Sequence, residues 1–301
     1  MRISSFSFSN TMLSNLGRNN VQLNKIMTQI AEQKRITKPS DDPIASTQIA
    51  QLKREQAAIS QYTTNIDRLS GNLAVQETQV SAVSDQLLAI LDRLREANNS
   101  DLGPSDMQGY ATDMRSGMES LVGLLNTQDE SGRYLFSGTL TNEKPVTQDA
   151  NGNWVFNGNS ETTSTLVGSG ILEESNIDLV SIMGGGLDVL NDMEALLVKM
   201  DDASVDPASY LNEISTMIGK MGKAHSNSGA LLTELGGRQN HIKLMSNTHA
   251  DNKMINETLI GGLQGLDMAE AYTQLSNYTV ASQASYQSYM QIANLSLFNL
   301  R

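Results

Sequence analysis

"LKREQAAISQYTTNIDRLSGNLAVQETQVSAVSDQLLAILDRL", Leu52–Leu94, carries the strongest structural signal in the chain. Leu52, Ile59, Ile66, Leu73, Val80, Leu87 and Leu94 recur every seven residues without a miss, and Tyr62, Leu69, Val83 and Ile90 fill most of a second row. A stripe of this period belongs to a helix that packs lengthwise against other helices. Carried out to the nearest breakers, about Ile44 to Ala97, the helix is ~80 Å long at ~1.5 Å per residue. A compact globule of 301 residues has a radius of gyration of only ~19 Å. The spacing therefore predicts a rod in at least part of the molecule.

Immediately upstream lies "KRITKPSDDPIAS", Lys34–Ser46. Lys38 precedes Pro39 and Asp42 precedes Pro43, which biases both away from the helical region. Proline suits the first position of a helix, and aspartate suits the position before it. Asp42 is thus read as the N-cap and Pro43 as the first residue of the long helix, a joint between two helices. Asp41 sits near the positive end of that helix. An acid–base or metal site here would need further ligands or a base, and none is near in sequence.

Before the joint, Met12, Leu16, Leu23, Ile26 and Ile30 fall at alternating steps of three and four, with Asn19 on the same seam. This is a second coiled-coil stripe, and a seam Asn fixes register at a cost in stability. After the long helix, Ser105 with Gln108 reads as a capping box. Met107, Ala111, Met114, Met118, Leu121 and Leu125 then mark a third helix, its methionines read as seam rather than as a binding surface. "GRYLFSGT", "DANGNWVFNGN" and "ETTSTLVGSGIL" hold short β-prone runs and Asn-Gly turns, the signal for hairpins. "DANGNW" fails as a calcium loop, because Trp154 stands where the invariant Gly would fall and Ser160 where the closing Glu would. Helical texture returns near Leu187 after Gly184-Gly185-Gly186, a flexible joint. A long helix starts near Pro207, with His241 and His249 expected on its polar face. Gly261, Gly262 and Gly265 weaken it before a last helix rich in Ala and Ser.

Composition narrows the function. Apolar content is 39% and aromatic content only 5%, which suits helix-on-helix packing better than a β-sandwich. The net charge of −12 disfavours nucleic acid or an anionic membrane as a partner. Cysteine is absent and histidine numbers three, so disulfides, thiolate nucleophiles and Cys-ligated zinc are excluded and imidazole chemistry has little material. No nucleophile–base pair, phosphate loop or metal cluster emerges, and neither a catalytic residue nor a cofactor or metal is expected. The N-terminus lacks the continuous apolar stretch of an ordinary secretory signal, and no apolar run approaches the ~18–20 residues that cross a bilayer.

The two breaks are placed alike, one about 40 residues from each end. Two terminal helices of matched length, each jointed to a rod, can lie side by side. The expected seam residues are Leu16, Leu23, Ile26 and Ile30 on the first helix and Leu275, Leu295, Leu297, Phe298 and Leu300 on the last. The pair has few large side chains for the chain it must order, so the termini are expected to fold mainly against neighbouring subunits.

"RIS" at 2–4, "KRITKPSDDPIAS" at 34–46, "GRYLFSGT" at 132–139, "LGGRQN" at 235–240 and "ASQASYQSYMQIANLSLFNLR" at 281–301 resemble the flagellin superfamily of bacterial flagellar axial proteins, and within it the hook-associated junction branch. Gly237 stands where the family motif often has Ala. The resemblance spans roughly the first 140 and the last 70 residues. It implies a mainly α fold: an elongated bundle of long coiled-coil helices from both chain ends with a small β insertion in the middle. The division expected is 1–42 with 262–301 as a terminal coiled-coil domain, 43–131 with 173–261 as a helical rod, and 132–172 as a β-rich outer domain facing solvent.

It further implies a structural adaptor at the hook–filament junction, extracellular and secreted without a cleavable signal peptide. Implied partners are the other hook-associated junction protein, flagellin, copies of the chain itself in a ring, the flagellar type III export apparatus and an export chaperone. The alternatives are flagellin itself, an unrelated secreted coiled-coil protein such as an injectisome tip component, and an enzyme on a helical scaffold.

Overall fold

The computed structural model describes the backbone of residues 2–99 and 101–298 and the side chains of residues 7–99 and 101–291. In chain order come α1 (Arg2–Glu32), α2 (Pro43–Ala97) and α3 (Pro104–Leu125), then strands β1 (Val146–Gln148), β2 (Trp154–Phe156), β3 (Ser164–Gly168) and β4 (Ile171–Glu174). The helices α4 (Leu179–Met183), α5 (Asp188–Asp201), α6 (Leu211–Gln264) and α7 (Met268–Phe298) complete the chain. This is the mainly α class with a small central β insertion. The residues group into two compact units: a terminal unit, Met1–Ala58 with Ala250–Arg301, and a central unit, Ile59–His249.

In the central unit the heptad stripe is the heart of the core. Ile66, Leu73, Val80, Leu87 and Leu94 of α2 are at most 2% exposed. Polar ties give the register of the helices around them. The Gln86 amide donates to Gly117 O at 2.9 Å and Arg93 pairs with Asp113 at 2.7 Å, which sets α3 antiparallel to α2. Gln108 donates to Asp201 O at 2.7 Å and Arg115 pairs with Glu194 at 3.9 Å, setting α5 antiparallel to α3. Lys199 pairs with Glu213 at 2.6 Å and Lys220 pairs with Asp192, joining α5 to the start of α6. Ser84 meets His225 at 3.2 Å and Gln239 donates to Glu77 at 2.7 Å, closing α6 against α2. Four antiparallel helices thus enclose one apolar cluster.

The β insertion forms two separate two-stranded sheets, β1–β2 and β3–β4. Asn151-Gly152 turns the first hairpin: Gly152 has φ +85°, and the Asp149 carboxylate accepts from the Asn151 and Asn153 N–H groups at 2.8 and 2.9 Å. "GRYLFSGT" makes isolated bridges rather than a strand, Tyr134 with Gln128 and Ser137 with Asp178. The reason is Gly138, at φ +66°, where an added Cβ would lie 2.1 Å from Asn159 O. The chain turns there with Phe136 and Ser137 fully buried.

Several boundaries differ from the sequence reading, each for a local reason. The capping box expected from Ser105 and Gln108 is displaced by two residues: Pro104 opens α3, and Asp106 accepts the Gly103 N–H at 3.0 Å. Gln108 is spent on α5 instead. Pro207–Ser209 is a single 3-10 turn capped by Asp206, so α6 begins at Leu211. Helix α6 runs straight through Gly261 and Gly262. Its break comes at Gly265, and Asp267 caps α7 by accepting from Ala269 N–H at 2.9 Å. Of the two histidines on α6, His241 keeps to the expected exposed face and His249 departs from it. β3–β4 folds over α2 and α6, with Asn65 donating to Leu166 O and Gln76 to Ser175 O, both at 2.9 Å. His249 is consequently buried: its Nε2 donates to Val167 O at 2.7 Å and its ring stacks on Tyr62. His241 pairs with Glu173 at 2.5 Å.

Candidate functional site: the terminal helices and their joint

In the terminal unit α1 and α7 lie side by side and antiparallel, with Ser282 Oγ donating to Asn20 Oδ1 at 3.2 Å. Ile26 is 3% exposed and Ala271 1%. Met12, Leu16, Asn19, Leu23 and Ile30 are half-buried on α1, and Leu275 and Tyr278 on α7. The side chains of Leu295, Leu297 and Phe298, and all of Leu300, fall outside the described residues.

Helix α1 ends in a Schellman turn. Gln33 N–H reaches Ile30 O at 3.3 Å and Lys34 N–H reaches Gln29 O at 3.0 Å, which puts Gln33 at φ +54° in the left-handed region that glycine normally occupies. The chain then crosses to the end of α6. Lys34 bridges Gly265, Arg35 N–H donates to Gln264 O at 2.8 Å, and the Arg35 guanidinium donates to Leu263 O at 3.1 Å and pairs with Asp42 at 3.3 Å. Beneath, Ile36, Ala45 and Ile49 form a small apolar cluster with Ile260 and Leu263.

The two aspartates divide the work. Asp42 accepts Ala45 N–H at 3.0 Å and caps α2, which Pro43 opens. That backbone hydrogen bond, assisted by Arg35, holds its carboxyl below the usual range. Asp41 organises the turn: its Oδ2 accepts Lys38 N–H at 3.0 Å, Thr37 N–H at 3.1 Å and Thr37 Oγ1 at 3.2 Å, and its Oδ1 pairs with Lys25 of α1 at 2.9 Å. The Lys25 hydrogen bond and the backbone donors lower its carboxyl to about 2. Arg35 and Gln33 are joint residues that sequence reasoning missed, and Asp41, read there as sitting near the positive end of α2, proves to organise the turn itself. The distant partners of Asp41 and Arg35 lie in other elements, Lys25 on α1 and Leu263 at the end of α6.

A polar cleft of about 340 Å³ opens over the joint, with Gln22, Lys25 and Arg35 facing Asp267, Glu270 and Gln274. Among the described residues no group of three or more His, Cys, Asp or Glu is placed to hold a metal, and no helix is long and apolar enough to cross a membrane. The unit's most distinctive feature is its surface. Of 43 buried apolar side chains in the described chain, only Ile26, Ile36, Ala45, Ile49 and Ala271 lie in it, yet it exposes twelve large ones. These include Val21, Ile44 and Met254, at 65%, 76% and 63% exposure.

Fold and site together define a helical protein that offers an apolar terminal surface. A model of the bacterial flagellin N-terminal helical region matches residues 3–141. Over 75% of its length the chain superposes on a Vibrio parahaemolyticus protein described as flagellar hook-associated, which is 33% identical and wholly covered, with a TM-score of 0.68. "Flagellar hook-associated protein 3" of Salmonella typhimurium is 25% identical over 318 residues, spanning 100% of this chain and 99% of that protein. The flagellar junction protein FlgL of Legionella pneumophila, 16% identical with a TM-score of 0.61 over 72% of this chain and 100% of that one, shares the fold. The chain belongs to the flagellar hook-associated protein family of the bacterial flagellin superfamily.

Proposed function

We propose that this chain is a non-enzymatic structural adaptor of the bacterial flagellum, assembling through its terminal helices at the hook–filament junction and presenting a platform for flagellin. The observation that carries this is the terminal unit's surface, with five apolar side chains buried and twelve large ones exposed. A surface so composed is completed by neighbours, because an exposed apolar set of that size gains from removal from water. The relatives' name, hook-associated protein 3, favours an adaptor over the bulk filament subunit.

On this reading 1–42 with 262–301 is the assembly domain, 43–131 with 173–261 the supporting rod, and 132–172 the outward domain. Leu16, Leu23, Ile26, Ile30 and Leu275, with Leu295, Leu297, Phe298 and Leu300, carry the seam, and Asp42 with Pro43 sets the hinge. The partners are the other hook-associated junction protein on one side, flagellin on the other, and copies of this chain around the ring. An export chaperone and the type III apparatus deliver it outside the cell without signal cleavage.

Deleting the gene in the source bacterium tests the reading. Bare hooks with unpolymerised flagellin in the medium are the expected outcome. Unchanged filaments refute the adaptor, and hooks with no flagellin anywhere identify the chain as the filament subunit.

A further inference from the structure

We infer that α5 is a shifting helix within the central unit and that its shift is coupled to the β1–β2 hairpin. Three observations give α5 freedom. It is entered through Gly184, Gly185 and Gly186 at φ +79°, +124° and +142°, a run in left-handed and extended-positive conformations that only glycine adopts readily. Its core contacts mix three leucines, Leu190, Leu196 and Leu197, with soft methionines. It buries Met193 and Met200, and the helices flanking it bring Met107, Met114 and Met118 from α3 and Met217 and Met221 from α6 into the same cluster. Methionine, unbranched and polarisable, follows a displaced neighbour without opening a void, whereas branched side chains leave a cavity. Helix α2, which has no methionine, supplies the stiff wall of Leu, Ile and Val. Lastly, apart from the Gln108 hydrogen bond to Asp201 O at its C-terminal end, its outer ties to α3 and α6, such as Arg115–Glu194, Lys199–Glu213 and Lys220–Asp192, are ion pairs between side chains 34–47% exposed, which constrain position weakly.

The tie to the hairpin is of another kind. Asn191 Oδ1 accepts Trp154 N–H at 2.7 Å and Asn191 Nδ2 donates to Trp154 O at 3.0 Å. This two-pronged bracket on one backbone residue completes the β2 edge as a neighbouring strand would. Asn126, at the end of α3, brackets Val146 of β1 in the same way, at 2.9 and 3.0 Å, so a shift of α5 against α3 is felt in the hairpin held between them, and Trp154, the chain's single tryptophan, reports it.

Relaxation dispersion on the full chain tests this, using methionine methyl carbons and the Trp154 indole nitrogen, which sense microsecond-to-millisecond exchange. Met193, Met200 and Trp154 are expected to share one exchange rate. Asn191→Ala is expected to leave exchange at both methionines and remove the shared rate from Trp154. If that variant does not fold, Asn191→Asp, which keeps the acceptor and loses the donor, is expected to weaken the coupling in the same direction. Met193→Leu with Met200→Leu is expected to cut the exchange contribution at Trp154 by half or more. Flat profiles at Met193 and Met200, separate rates in the parent chain, or a Trp154 rate indifferent to Asn191→Ala overturns the inference.

Discussion

The two units are built from similar helices and differ in where their apolar side chains go. The central unit holds 38 of the 43 buried apolar side chains and exposes eight large ones. The terminal unit holds five and exposes twelve. Helix α2 runs through both and shows the contrast along a single element. In the central unit its stripe is sealed from Ile66 to Leu94, whereas near its start Leu52 is half-buried and Ile44 is 76% exposed. The same heptad logic serves a finished core in one place and an unfinished one in the other. Helical periodicity specifies that a face seeks a partner, not whether the partner is in the same chain.

The strongest way to break this comparison is Leu23→Asp. A charge on the α1 seam is expected to abolish assembly in the flagellum while leaving the helical circular dichroism of the central unit intact. Normal filaments from that variant contradict the seam role. Next in size, Leu87→Ala is expected to cost about 2–5 kcal/mol in denaturant unfolding of the central unit, the usual loss for a fully buried leucine. Leu16→Ala, made in the free chain, is expected to cost less, because Leu16 is only half-buried there. Equal losses would mean the terminal unit is as complete as the central one. Hydrogen exchange on dilute protein sharpens the same point: amides of 7–32 and 268–291 are expected to exchange much faster than those of 66–94.

Smaller effects come from the joint. Asp41→Asn removes the ion pair to Lys25 and is expected to loosen the terminal unit by about 1–2 kcal/mol, allowing for partial solvent screening. The pH dependence has a definite sign. The Asp41 carboxyl is depressed from 3.8 to about 2 in the folded chain, so its contribution is complete above about 3.8 and is lost as pH falls through about 2. Amide exchange of 34–42 followed across that window is expected to accelerate in the parent and to change little in the Asn variant. Smallest of all, Gln33→Gly relieves the left-handed residue at the end of α1 and is expected to stabilise the joint by up to about 1 kcal/mol, read as slower exchange there.

Much of the fold was legible because it rests on period. The seven-residue stripe from Leu52 to Leu94, the methionine and leucine stripe of α3 and the Asn-Gly turn at 151–152 are all local patterns that the chain obeys. Asp42 and Pro43 were legible for the same reason, since capping is written within a few residues. What local pattern does not carry is partnership across the sequence. Gly138 turns a β-prone segment at φ +66°, and Asn159, twenty-one residues on, fills the space a side chain there would need. His249 is buried because a hairpin 80-odd residues earlier folds over its helix. Asp41 became the centre of the joint only when α1 brought Lys25 to it.

By itself the sequence determined the helices, the place of the β insertion, the existence of a joint near Pro43 and an apolar stripe along each long helix. These follow from side-chain spacing and backbone preference, which act over one or two turns. Only the tertiary structure decided which stripes are satisfied within the chain, which residues tie the joint, and that the terminal unit buries few of its large apolar side chains. Burial depends on what else arrives at a face, and nothing within a turn or two of chain records that.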